Sequence, residues 1–160
     1  MRTITDIKSD RMRYTKNSIS ATLSYLAILF NALYFLNIYH SDVGRFYYKI
    51  DIGFSVIYNL LFMLFVFLAS EAVKNYDLKF SIVLIAIGAM QIVRIFGIPL
   101  DAFTTMVTVK KEEVQVMQLD QFITCVVFLA LSAALAITGG IIGVIKTKKL
   151  RAYEKTLITE

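Results

Sequence analysis

The chain has 160 residues, 58% of them hydrophobic, a mean hydropathy of +0.66 and only 18% charged residues. Apolar surface is disfavoured in water by about 25 cal/mol per Å², so this composition excludes an ordinary soluble domain and implies a lipid solvent. The net charge of +5 does not point to nucleic acid, because the basic residues flank apolar runs instead of forming a patch interleaved with stacking aromatics.

The chain opens on a basic segment, residues 1–18, carrying Arg2, Lys8, Arg11, Arg13 and Lys16. The first apolar run follows at residues 19–39. It is too long for the apolar core of a secretory signal, and Asn37-Ile38-Tyr39-His40-Ser41 after it offers no small-x-small cleavage site. Three further runs occupy residues 52–73, 80–100 and 122–145. Each approaches or exceeds the ~20 residues that cross ~30 Å of hydrocarbon. Backbone amides in lipid must bond within their own segment, so continuous apolar runs predict helices. They lack the alternation of a membrane β-barrel. The expected fold is an all-α, integral membrane four-helix bundle in one domain, without internal repeat.

Basic residues in short connections set the orientation of such a bundle. Twelve of them lie in the N-terminal segment, in the second connection (Lys74, Lys79) and in the C-terminal tail (Lys146, Lys148, Lys149, Arg151, Lys155). Four lie on the opposite side, Arg45, Lys49, Lys110 and Lys111. Both termini are therefore expected in the cytoplasm. A bacterial cytoplasmic membrane is the expected location for a chain rich in Ile, Lys, Tyr and Phe.

Two connections then lie on the outer side, residues 40–51 and 99–120. In the second, Val107 and Val109, and again Val114 and Val116, alternate with polar residues around Lys110-Lys111-Glu112-Glu113. Alternation about a four-residue polar tip predicts a small β-hairpin over 104–119. The competing reading extends the fourth helix outward from Glu112.

Arg94, inside the third run, is the residue most costly to place. An arginine near the bilayer centre costs about 2.5–3.5 kcal/mol on insertion scales and marks a functional site by default. Gln91, three residues earlier, shares its helix face. Helix direction brings Asn31 and Tyr34 of the first run, with Asn37, to the same outer half, and likewise Ser55, Tyr58 and Asn59 of the second. Thr124 of the fourth adds a hydroxyl at that depth. One reading is a polar site open to the outside, with Arg94 fixing an anionic group. The plainer reading is that Arg94 snorkels to Asp101, Asp51 or lipid phosphate while the amides hold helices together.

Ser132, Ala136 and Gly140 recur every four residues in the fourth run, and Gly139 and Gly143 form a GxxxG step. Small residues at this spacing admit a second helix backbone to backbone, either inside the bundle or on a partner. The tail over 146–160, with Lys146, Lys148, Lys149 and Arg151, places Leu150, Tyr153 and Leu157 at helical spacing. It reads as a contact for anionic lipid or a cytoplasmic partner, or as a solvated helical extension.

His40 has no second histidine or cysteine beside it, and Cys125 is the one cysteine, so no metal, cofactor or disulfide is expected. No nucleophile–base pair, phosphate loop or carboxylate pair is present, so catalysis is not expected. Two functional readings remain. One is an accessory subunit docking through its fourth helix onto a larger membrane complex, such as a transporter. The other is a small homo-oligomeric transporter or channel centred on Arg94.

Overall fold

A computed structural model describes residues 16–39, 50–109 and 112–158. Helix α1 spans Ser18–Tyr39, α2 Ile50–Lys74 and α3 Leu78–Ile95. A short helix α4, Ile98–Thr104, leads to strands β1, Met106–Val109, and β2, Glu112–Gln115, and helix α5 runs over Leu119–Ile158. Four segments are long and apolar enough to cross a membrane: Ser18–Tyr39, Gly53–Lys74, Leu78–Thr104 and Leu119–Thr156.

These helices are turned inside out relative to a soluble bundle. The buried residues of α1 are Ser20, Ala21, Ser24, Ala27, Asn31, Tyr34 and Ile38, spaced three and four apart as one helix face requires. Its leucines Leu26, Leu29, Leu33 and Leu36 are exposed. Small and polar residues inside, with leucines outside, is the pattern expected when lipid is the solvent, because burial of apolar surface no longer drives association.

Neighbouring helices run antiparallel, and α5 packs most extensively against α3 and α1. The small residues of α5 make that approach close. A Cβ on Gly140 would meet the Ser81 carbonyl oxygen at 2.7 Å and Ile85 Cγ1 at 2.6 Å, and one on Gly143 would meet Ser81 Oγ at 2.6 Å. Gly139 faces the backbone of Ser20 on α1 at 3.2 Å, and Gly88 of α3 answers with a seat against Ile137 at 2.6 Å. Ser132 donates to the Ala27 carbonyl at 2.8 Å, and Ala136 is fully buried. This row packs against the chain's own helices α1 and α3.

The turn from α2 to α3 is tight. Tyr76 N–H donates to Val73 O at 3.0 Å and Asp77 N–H to Ala72 O at 3.1 Å, the paired bonds that close a helix end in a Schellman motif. Tyr76 takes the left-handed position with φ 63°, where glycine is the usual occupant. Asp77 then caps α3, accepting from the Lys79 amide at 2.8 Å, which satisfies one of the helix's orphan donors.

Two helix boundaries differ from the sequence expectation. The third helix stops at Ile95 and resumes as α4 after Phe96 and Gly97, with Pro99 in the first turn of α4. Proline lacks the amide needed to continue a helix but fits its opening turn, so hydropathy runs on where the backbone breaks. The last helix begins at Leu119 and continues without interruption to Ile158. At 1.5 Å per residue its 40 residues span about 60 Å, so the basic tail prolongs α5 beyond any ~30 Å hydrocarbon layer.

Strand β2 pairs antiparallel with β1 through Met106↔Gln115 and Val107↔Val114. Lys110 and Lys111 at the tip, and most of the 40–51 connection with His40, lie outside the described residues.

Candidate functional site

Two apolar clusters divide the interior. Tyr34, Ile38, Ala102, Met117, Cys125 and Leu129 pack at the end that bears the strands. Phe62, Val66, Ala69, Val73 and Leu84 pack toward the other end. A polar layer lies between them, drawn from α1, α3 and α5.

The layer is one connected chain of hydrogen bonds. Gln91 Nε2 donates to Asn31 Oδ1 at 2.9 Å and to Ser132 Oγ at 3.4 Å. Arg94 Nη1 donates to the same Asn31 oxygen at 3.0 Å and, at 3.5 Å, to Gln91 Oε1. Asn31, Gln91 and Ser132 are fully buried, and each buried amide would cost a few kcal/mol without such partners.

The Arg94 guanidinium is also held by two rings. Its central carbon lies 4.5 Å from the Tyr34 centroid and 4.8 Å from that of Tyr58. Both distances fall within the ~6 Å over which a ring face attracts a cation. The rings come from α1 and α2, so all four long helices contribute to holding this residue or its partners.

Among the described residues the one ion pair is Lys74–Glu71, at the opposite end of α2. Tyr25 also donates to that Glu71 carboxylate. Asp101, one of the partners the snorkelling reading names, lines the same cavity as Arg94; the Asp51 side chain lies outside the described residues. Among the described residues, three buried polar groups at the site lack a hydrogen bond of good geometry: Arg94 Nη2, Asn31 Nδ2 and the Tyr34 hydroxyl, which lies against Arg94. A guanidinium carries five donors and no acceptor, so what these groups lack is an acceptor, and a negatively charged one answers best.

Beside Arg94 a cavity of about 810 Å³ opens between α2 and α3, reaching Gly97 and Asp101 where α3 breaks. Tyr34, Ser55, Tyr58 and Arg94, with Asp101 at the rim, form its polar part. Phe54, Ile57, Met90, Val93 and Phe96 form apolar walls and are exposed on the outer surface of the bundle. The cavity therefore opens sideways.

The residues grouped by depth separate here. Arg94, Gln91, Asn31, Tyr34 and Tyr58 come together, and Ser55 lines the cavity. Asn59 donates back to its own helix at Ser55 O, 2.9 Å away, and has no bond to Arg94. Thr124 is half-buried and donates to its own helix at Asp120 O, 2.8 Å away. Asn37 accepts from the Cys125 thiol at 3.3 Å, nearer the strand end. Ser132, grouped in sequence with the packing row, proves to be the member from α5; its hydroxyl stands level with Gln91, and that level was the available signal.

Among the described residues no group of three or more His, Cys, Asp or Glu side chains could hold a metal ion. No protein-family model, characterised protein or solved structure matches the chain.

Proposed function

We propose that the protein is a small membrane-embedded binding protein, non-catalytic, that holds an anionic group at Arg94 as the substrate-holding part of a transporter. The observation that carries this reading is a set of buried polar groups without a hydrogen-bond partner among the described residues, Arg94 Nη2, Asn31 Nδ2 and Tyr34 Oη, beside a cavity that has Asp101 only at its rim. A structural arginine would be expected to have its charge matched within the protein. A receptor leaves that charge for its ligand.

The test is equilibrium binding of benzoate and of inorganic phosphate to the purified protein. Hydrogen bonds to a charged group contribute about 1.5–3 kcal/mol, so Arg94→Gln should weaken binding about tenfold to hundredfold. Unchanged affinity in that variant removes Arg94 from the site.

The distribution of basic residues supports both termini in the cytoplasm, with the strands and the cavity in the outer half of a bacterial cytoplasmic membrane. Glu113→Cys should then react with an impermeant maleimide added outside intact cells, and Lys149→Cys only after permeabilisation. The reverse pattern inverts the topology.

A second reading, an accessory subunit of a larger complex, keeps support from one feature. The basic extension of α5 presents Lys148, Lys149 and Arg151 to solvent as a rigid surface for a cytoplasmic partner or a second copy.

A further inference from the structure

We infer that the cleft between α2 and α3 takes up the hydrocarbon chain of an amphiphile whose anionic head, carboxylate or phosphate, pairs with Arg94. This rests on the Arg94 reading above and adds the class of ligand and the side from which it arrives.

Three observations point the same way. First, the opening lies between helices, and its walls are among the most exposed apolar side chains of the bundle: Phe54 is 68% exposed, Val93 68% and Phe96 69%. In a bilayer these side chains face acyl chains, so the cleft communicates with lipid.

Second, the volume of about 810 Å³ falls within the ~300–1,000 Å³ of cavities that enclose a drug-sized molecule. Third, polarity is segregated within the cleft. Arg94, flanked by Tyr34 and Tyr58, stands at the inner wall, apolar residues line most of the way out, and Asp101 stands at the rim. A small hydrophilic anion would leave these walls unmatched. A plain hydrocarbon would leave the buried donors of Arg94 and Tyr34 without an acceptor, which is costly in a low dielectric. An amphiphile satisfies both.

The break at Phe96 and Gly97 makes room for this arrangement. By ending α3 one residue beyond Arg94, it places the start of α4, with Ile98 and Asp101, at the rim of the cleft. A continuous helix would carry side chains across that position.

The chain has no tryptophan, so a single introduced indole reports its surroundings without background. Phe96→Trp and Phe54→Trp place it in the cleft. Leu36→Trp, on the exposed surface of α1, places it away from the cleft at the same end of the bundle. Each variant is reconstituted in phosphatidylcholine vesicles containing dibromostearate, brominated phosphatidate or brominated phosphatidylcholine at equal bromine content.

The expected result is quenching at positions 96 and 54 by an anionic probe in excess of the zwitterionic one. The excess should be absent at position 36 and lost when Arg94→Gln is added. Preference for stearate over phosphatidate identifies a carboxylate head, and the opposite preference a phosphate; either supports the proposal. Equal quenching by all three lipids at position 96, while Arg94→Gln still abolishes benzoate binding, overturns the amphiphile and leaves the anion site standing. An anionic excess that survives Arg94→Gln overturns the pairing of head with guanidinium.

Discussion

Gly140→Ala should destabilise the folded bundle by about 1–3 kcal/mol, the usual cost of forcing extra volume into a packed interface. Helix propensity alone argues the other way, since alanine is favoured over glycine by about 1 kcal/mol in a helix interior. The decision comes from what the new methyl meets. At Gly140 it would stand 2.7 Å from the Ser81 carbonyl oxygen and 3.1 Å from the Ile85 amide nitrogen, both backbone atoms of α3 that cannot rotate aside. Helices α3 and α5 would have to separate, and with them the seats of Gly88 and Gly143. Gly53→Ala is the matched control: nothing lies within 4 Å of its Cβ position, so propensity acts unopposed and stability should rise by up to about 1 kcal/mol. Titration of the detergent-folded protein with dodecyl sulfate reads both. If the two variants shift in the same direction, close packing of α5 against α3 does not hold the bundle together.

The second large effect is expected at Asn31. Interhelical hydrogen bonds in membranes average only about 0.6 kcal/mol, with a maximum near 1.7, because the unfolded chain finds other partners. Asn31 Oδ1 exceeds that average because it accepts from Gln91 and Arg94 together, and one of the donors is charged. Asn31→Leu strands both donors and should cost about 2–3 kcal/mol, within the range for leaving buried polar groups unpaired. Asn59→Leu is the contrast. Its one hydrogen bond returns to Ser55 on the same helix and its Oδ1 already lacks a partner, so both polar atoms leave together and the cost should stay within about 0.6 kcal/mol. The same dodecyl sulfate titration decides, and equal losses at the two positions would mean that the polar layer is not a connected unit.

These two sites also show what could be read from residues alone. The depth of Asn31, Gln91 and Arg94 was legible because chain direction and the rise of an α-helix fix each residue's height once the apolar runs are located. Azimuth was not. Which side chains at one height face each other depends on how α1, α3 and α5 rotate against one another, and that is set by the glycine contacts of the whole interface. So Asn59, at a suitable height, turns to its own helix, while Ser132, read as a packing residue, completes the polar layer. The break before α4 was hidden for a different reason: Phe96, Ile98 and Leu100 keep the stretch apolar, and only Gly97 and Pro99 mark the point where the backbone cannot continue. The length of α5 was hidden because the apolar signal ends at Ile145, whereas Lys, Arg and Glu are good helix formers that carry the helix to Ile158 in water.

The arrangement also explains how an arginine is tolerated among apolar helices. Two tyrosine faces spread contact over the guanidinium, two amide oxygens, of Asn31 and Gln91, accept hydrogen bonds from it, and Arg94 also lines the cleft. Each ring contributes about 0.5–2 kcal/mol, comparable with the insertion cost of about 2.5–3.5 kcal/mol for the side chain. The charge is thereby held in place at the cleft, where the proposed ligand answers it.

Asn31→Asp is the sharpest probe of that claim. The substitution keeps the acceptor oxygen 3.0 Å from Arg94 Nη1, so the polar layer stays connected, and it puts a carboxylate where the guanidinium now meets an amide. If Arg94 is reserved for an anion from outside the protein, the folded bundle should be as stable as the wild type or more so, while benzoate affinity falls about tenfold or more as the internal carboxylate takes the ligand's place. Wild-type benzoate affinity in a well-folded Asn31→Asp protein would contradict the account, because a neutralised Arg94 would then bind as well as a charged one.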